Sequence, residues 1–295
     1  MRLLVILLAW VLRRQLDARG LLEPDKWQQN LLAKAPGDDR GPRAVFLVVL
    51  VYIGLVLLAG LFSWGLGGVT GGLWASLAAL LLLLLASGMP AWRQPLKAYG
   101  EAWARGDMQA AWHHVNHLLP VERRGESLAP ERLHLILAQS LINATFERYF
   151  LPIFWYAVLG PAGLVLVVGA LALSQHYPGN AVRRLFSQLV TVLAWLPARA
   201  LSFSFGIAGD LSGWLHEQRR DQHVPGERRP AWLLRGASGA LSSFALDPRR
   251  FERTHPEAWQ DYGRRSLLAV RDLLNRSMLV WITALAVLAI MGWLP

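Results

Sequence analysis

Five long apolar stretches with almost no charged residues divide this chain of 295 residues. Each is close to the roughly 20 residues that a helix needs to cross the hydrocarbon core of a bilayer. The third, Phe150 to Leu173, has 24 residues and corresponds to roughly 36 Å of helix. The pattern therefore predicts an all-α, polytopic membrane helix bundle of about five spans. The predicted spans are residues 44–66, 69–89, 150–173, 188–208 and 277–294.

The domain organisation follows from the segments that hold these spans. The first two spans are joined only by Gly67 and Gly68, so residues 44–89 are expected to form a transmembrane hairpin. Residues 150–209 hold the third and fourth spans, and residues 277–295 hold the C-terminal span.

Two polar segments, residues 90–149 and 210–276, carry apolar positions at helical spacing. The second ends in Glu257 to Arg276, where apolar side chains fall on one side of a helix and charged ones on the other. We expect both segments to form a helical layer on the cytoplasmic side of the membrane.

The N-terminal segment, residues 1–43, opens with an apolar run from Leu3 to Leu12. Ten residues are too few to cross a bilayer. The run is therefore expected to form a helix that lies at the membrane surface or packs among other helices. The remainder of the segment is predicted to be a cytoplasmic linker with one short helix.

Lysine and arginine are concentrated in three of these segments. Residues 1–43 hold 8 of the 30, residues 90–149 hold 7 and residues 210–276 hold 12, whereas the loops around Gly67 and His176 hold only Arg183 and Arg184. Cytoplasmic loops carry such an excess, so we expect a membrane protein with a cytoplasmic N-terminus. The net charge of +10 then reflects topology and contact with the lipid bilayer, and no nucleic acid is expected as a partner.

A polar stripe leads into the third predicted span. Gln139, Asn143 and Glu147 recur every four residues and share one face of a helix. Arg199 lies inside the fourth span, just after Pro197, where an unpaired arginine costs about 2.5–3.5 kcal/mol. We expect Arg199 to meet Glu147 and to complete a polar pocket with Asn143 and Gln139. We expect the pocket either to stabilise the fold or to bind a small anionic ligand at the cytoplasmic side. The alternative to that ligand is an unknown protein partner on the same side.

Other chemistry is scarce in the sequence. The chain has no cysteine, which excludes disulfides and thiolate chemistry. His113 and His117 are four residues apart, but no third ligand lies at a diagnostic spacing, so a solvated helix face is favoured over a metal site. No nucleotide-binding loop and no catalytic triad can be recognised. We therefore assign no catalytic residue, metal or cofactor.

The order of several motifs resembles the AmpE/CobD (CbiB) superfamily of inner-membrane proteins. They are A-R-G-D-M-Q-A-A from Ala104, Q-S-L-I-N-A-T-F-E-R-Y-F-L-P-I-F-W from Gln139, L-G-P-x-G from Leu159 and L-P-A-R-A-L from Leu196. Within the superfamily the chain most resembles the AmpE family. That resemblance implies a regulatory protein of the bacterial inner membrane, linked to inducible β-lactamase and to cell-wall recycling.

The enzymatic branch of the superfamily, the cobinamide synthases, has carboxylates and an asparagine in the motif that begins at Gln139. In this chain Gln139 and Asn143 stand where that branch has glutamate, Ala144 stands where it has asparagine, and Glu147 stands where it has aspartate. Neutral amides are poor ligands for a divalent metal ion that binds phosphate groups. The sequence therefore favours a protein without catalytic activity. The alternative is a divergent membrane enzyme, related to adenosylcobinamide-phosphate synthase, that acts through Glu147.

Overall fold

The computed structural model describes residues 2–19, 24–35, 42–65, 69–120, 123–126, 128–220, 229–241 and 246–292. Within these residues the regular structure is entirely helical, which confirms the all-α prediction. The α-helices are α1 Arg2–Arg19, α2 Pro24–Leu32, α3 Pro42–Gly65, α4 Val69–Ala86, α5 Pro90–Ala104, α6 Met108–Val115, α7 Pro130–Thr145, α8 Leu151–Leu159, α9 Pro161–His176, α10 Asn180–Ala208, α11 Leu211–Arg220, α12 Arg229–Ala240, α13 Pro248–Thr254 and α14 Trp259–Ile290.

The chain forms two compact units. Unit one comprises Met1–Pro90, Glu147–Pro197 and Ile282–Pro295, and unit two comprises Ala91–Phe146 and Ala198–Trp281. The predicted Gly67–Gly68 link between the first two spans lies outside the described residues.

Three helices of the described chain are long and apolar enough to cross a membrane: Val45–Ser63, Asn180–Ala208 and Pro256–Ile290. Two further predicted spans correspond to shorter apolar helices, Leu73–Ala86 and Pro161–His176. The predicted amphipathic helix and the C-terminal span are one continuous helix, α14. Likewise α10 continues through Pro197, although proline removes one backbone hydrogen bond there.

The third predicted span is not one continuous crossing. The helix ends at Leu159, Gly160 takes a positive φ of 65°, and α9 begins at Pro161. The chain then turns back, and α9 packs on α8 so closely that a Cβ at Gly163 would overlap the carbonyl oxygen of Trp155. Glycine allows the turn, and proline, which lacks an N–H, suits the first turn of the next helix. We call residues 151–176 the α8–α9 hairpin.

The direction of α9 corrects a second expectation. Tyr52 on α3 donates a hydrogen bond to the carbonyl of Leu166 (2.6 Å), and Gly60 lies beside Ala162, so α3 and α9 are antiparallel. At the base of the hairpin, Gln175 contacts Glu147. The loop around His176 therefore lies at the end of unit one where α3 begins, and not at the opposite end as the sequence predicted.

The N-terminal helix packs among other helices, as one of the two sequence alternatives proposed. α1 contacts α4 and α8, and it buries Val5, Ile6 and Ala9. Near its start, Arg2 donates hydrogen bonds to the carbonyls of Ala157 (3.0 Å) and Val158 (3.4 Å). A cation at the C-terminal end of α8 is favourable because the free carbonyls there carry partial negative charge.

Unit two is built around an aromatic core. Trp103, Tyr99 and Tyr262 are fully buried, and the Trp103 indole donates a hydrogen bond to the carbonyl of Trp259 (3.1 Å). α11 and α12 pack closely because Gly213 and Gly239 leave room for each other's backbone.

Candidate functional site

The predicted polar pocket is divided between the two units. Gln139 and Asn143 lie one turn apart on α7 in unit two, as predicted, and both are half-buried. The buried Oδ1 of Asn143 has no hydrogen-bond partner among the described residues. After Thr145 the helix widens into a π-helical turn, Phe146–Phe150, which interrupts the four-residue repeat before Glu147. Such turns are frequent at functional sites.

Glu147 belongs to unit one and Arg199 to unit two. The Glu147 carboxylate accepts a hydrogen bond from the Gln175 side-chain amide (3.2 Å). Arg199 lies on α10 and is exposed. The contact between Glu147 and Arg199, and with it the four-residue pocket, stays a prediction.

A buried charged cluster in unit one was not predicted from the sequence. Arg13 on α1 is 1% exposed, and its Nε forms an ion pair with Oδ1 of Asp17, one turn further on, at 3.0 Å. Its Nη1 donates a hydrogen bond to the carbonyl of Leu84 at the end of α4 (2.8 Å). The ion pair neutralises a charge that would otherwise be costly to bury.

Asp17 in turn joins three segments of unit one. Its Oδ2 accepts hydrogen bonds from the Met89 backbone N–H (3.3 Å) and from the Tyr149 hydroxyl (2.5 Å). Burial, together with the Asp17 carboxylate, raises the pKa of Tyr149, so the phenol stays protonated and remains a donor. We call Arg13, Asp17, Gly88 and Tyr149 the Arg13 cluster.

Gly88 is part of this cluster because it has no side chain. Its φ is +108°, a backbone conformation that favours glycine, and a Cβ at this position would overlap the Arg13 guanidinium. The Gly88 carbonyl accepts a hydrogen bond from Arg148 (3.4 Å). The Arg13–Asp17 spacing of four residues was the available sequence signal, since oppositely charged residues at that spacing meet on a helix.

A second buried polar group lies in unit two. His134 on α7 is completely buried, with Nδ1 2.9 Å from the Tyr99 hydroxyl and Nε2 2.6 Å from the Ser266 hydroxyl. The rings of Trp103 and Tyr262 also pack against it. Burial lowers the pKa of His134 to about 3, so the imidazole is neutral at ordinary pH. Because both nitrogens are engaged and enclosed, this group links α5, α7 and α14 and is not accessible to a substrate.

The two histidines considered as metal ligands lie at the surface. His113 is on α6, whereas His117 is in a separate 3₁₀ turn, and both are exposed. Within the described part of the chain, no three histidine, aspartate or glutamate side chains are grouped to hold a metal ion.

The family comparison covers most of the chain. The family described as "Regulatory signalling modulator protein AmpE" matches residues 1–216, which is more than two thirds of the sequence. The chain belongs to the AmpE family. Comparison with curated proteins and with solved structures finds no match.

The AmpE match contains the Arg13 cluster, the α8–α9 hairpin and all four predicted pocket residues. It ends within α11, so α12 to α14 lie beyond it, including Ser266, the partner of His134. With its long apolar helices, this AmpE family member is a membrane protein.

Proposed function

We propose that this chain is an inner-membrane regulatory protein that modulates β-lactamase induction in response to cell-wall recycling, and that it does so without catalysing a reaction. The observation that carries the proposal is the match of residues 1–216 to a family described as a signalling modulator. The link to β-lactamase comes from the resemblance of the Gln139 and Leu159 motifs to AmpE proteins.

Two features of the former enzyme motif support a non-catalytic role. Gln139 and Asn143 are neutral amides, which are poor ligands for a divalent metal that carries phosphates. The remaining acid, Glu147, accepts a hydrogen bond from Gln175 at the base of the α8–α9 hairpin. This hydrogen bond joins the turn before α8 to the end of α9.

We propose that the predicted pocket recognises the ligand that regulates the protein. The proposed ligand is a small anion that binds Arg199 at the cytoplasmic side, with Gln139, Asn143 and Glu147 selecting it through hydrogen bonds. The alternative is that these residues are retained only to stabilise the fold. The buried, unpartnered Oδ1 of Asn143 favours a ligand, because a buried acceptor without a donor is costly.

The proposed orientation places the start of α3, which follows the predicted cytoplasmic linker, in the cytoplasm. With the α9 direction observed here, Arg183 and Arg184 join the end of unit one at which α3 begins. The positive-inside rule then accounts for the exposed cations at that end, Lys34, Arg43, Arg183 and Arg184.

A deletion strain tests the proposal directly. β-Lactamase activity after a β-lactam pulse is measured in the deletion strain, with and without a plasmid copy of the gene. In a second strain, a cobinamide synthase mutant that expresses this chain, growth without cobinamide is measured. We expect altered induction that the plasmid restores, and no rescue of cobinamide synthesis. Unchanged induction would contradict the regulatory proposal, and rescue of cobinamide synthesis would establish the enzyme alternative.

A further inference from the structure

Unit one contains an apolar groove of about 370 Å³ between α2, α3 and α9. Its size is within the range of about 300–1,000 Å³ typical of ligand pockets. Hydrocarbon side chains make up almost all of its lining. They include Trp27, Leu31, Leu47, Val51, Val168 and Leu173. We call this space the α2–α3 groove.

The groove exists because α9 supports two helices that do not fill the space between them. On one side the Tyr52 ring packs on Gly169, which brings α3 close to α9. On the other side α2 packs on α9, and its Trp27 indole donates a hydrogen bond to the carbonyl of Leu85 (3.1 Å). α2 is thereby held over the end of α4, and Val168 and Leu173 of α9 form the floor of the groove.

The open side of the groove lies along an exposed, apolar helix. Its α3 wall is part of Val45–Ser63, the most apolar of the candidate membrane spans, of which only 6% is buried within the protein. Leu47 and Val51 are 57% and 59% exposed. A groove with this lining, along a helix that is apolar enough to cross a membrane, suits an acyl chain, because the lining offers almost no partners to water or to a polar ligand.

Exposed cations lie at the end of unit one where α3 begins. Ala35, which follows α2, and Val45, at the start of α3, both pack on the core that contains Tyr177 and Val182. The exposed cations next to these residues therefore lie at the same end of unit one: Lys34, Arg43, Arg183 and Arg184. Two aspartates and Arg40 lie between Lys34 and Arg43, and the whole set remains net positive. Such a basic cluster beside a membrane helix attracts anionic lipid head groups.

We propose that the α2–α3 groove binds one acyl chain of an anionic phospholipid, whose phosphate is held by the cationic cluster. The acyl chain supplies the contacts that α2 and α3 do not make with each other. The head group supplies specificity, since an acyl chain alone is shared by all bilayer lipids. The site is independent of the proposed regulatory role and of the predicted pocket.

Photocrosslinking of the full-length protein in nanodiscs tests the proposal. The discs are made of phosphatidylcholine with a small fraction of phosphatidylglycerol that carries a diazirine on its acyl chain, and crosslinked peptides are identified by mass spectrometry. We expect crosslinks at Leu31, Leu47 and Val51. Val51→Trp, which fills the groove, should reduce them about tenfold, which corresponds to about 1.4 kcal/mol. Leu47→Trp is the second filling variant, in case Val51→Trp does not give a folded protein by gel filtration.

Leu58→Trp is the matched control, because Leu58 is 64% exposed on the same helix and does not line the groove. Its crosslinking pattern should not change. Crosslinks spread evenly along α3, or their absence in folded protein, would overturn the groove as a binding site.

The head group is tested in the same discs. A diazirine phosphatidylcholine probe should label the groove about tenfold less than the phosphatidylglycerol probe, and the Lys34→Gln/Arg43→Gln variant should lose this preference. The control variant Lys97→Gln/Arg105→Gln removes two exposed cations outside the groove and should retain it. Equal labelling by the two probes would overturn recognition of an anionic head group.

Discussion

Gly88 lies against the Arg13 guanidinium so closely that a Cβ at residue 88 would overlap it. The turn after α4 is thus shaped to accept a charged group from α1, and φ of +108° at Gly88 is part of that shape. Gly88→Ala is expected to destabilise the protein by about 2–4 kcal/mol, because steric overlap adds to the cost of the backbone conformation.

Thermal unfolding in detergent measures this effect, and Gly106→Ala separates its two parts. Gly106 also has a positive φ, +74°, but a Cβ there meets nothing within 4 Å. Its replacement should cost only about 1 kcal/mol. Equal losses in the two variants would show that Arg13 is not held against residue 88.

The ion pair of the Arg13 cluster gives the second prediction. Asp17→Asn keeps the shape of the side chain but leaves the charge of the buried Arg13 without its partner, which should cost about 3 kcal/mol. Arg14→Gln removes an exposed cation from the same helix and should change stability by less than about 0.5 kcal/mol. A similar change in unfolding temperature for both variants would contradict the structural role assigned to the cluster.

His134 makes stability depend on pH. Burial lowers its pKa to about 3 in the folded protein, from about 6.5 in the unfolded chain. The unfolded state therefore binds more protons between these values, and stability is lost as the pH falls below 6.5. Between pH 8 and pH 5 this amounts to about 2 kcal/mol.

Unfolding curves of the wild type and of His134→Gln at both pH values check this. The variant should be less stable at pH 8, because hydrogen bonds to Tyr99 and Ser266 are weakened, but its stability should depend less on pH. The control His113→Gln removes an exposed histidine and should retain the wild-type pH dependence. Identical pH dependence in wild type and His134→Gln would contradict the prediction.

The absence of cysteine in the sequence makes the topology testable with single cysteines. Gly65→Cys at the end of α3 should react with a membrane-impermeant maleimide in spheroplasts. Pro178→Cys, in the loop after α9, and Gln109→Cys, on α6, should react only after the membrane is disrupted. Labelling of Pro178→Cys from outside would restore the third crossing that the sequence predicted and contradict the α8–α9 hairpin.

The predicted contact between Glu147 and Arg199 is tested by a double-mutant cycle. Glu147→Gln and Arg199→Gln, alone and combined, should show a coupling energy of at least about 1 kcal/mol in unfolding measurements. The exposed pair Lys97 and Glu101, 3.8 Å apart on α5, serves as the control and should show about 0.3–0.5 kcal/mol. Additive effects of Glu147→Gln and Arg199→Gln would remove the basis for a shared pocket.

Several elements were predictable because they depend on local sequence. The apolar stretch at 44–66 determined α3, since a helix satisfies every backbone hydrogen bond within its own segment. The spacing of Gln139 and Asn143 placed them correctly on one helix, α7. The short apolar run after Met1 was predicted not to span a bilayer, because ten residues are too few.

The tertiary structure decided what composition cannot encode. Phe150 to Leu173 has the length and apolarity of a crossing, and only the turn at Gly160 and the packing of Gly163 on Trp155 show that the chain reverses. Arg13 and Tyr149 are 136 residues apart in the sequence, and they are brought together by Asp17, which contacts both. Contacts of this kind depend on how helices pack, and packing is set by side-chain shape over the whole unit and not by the period of one segment.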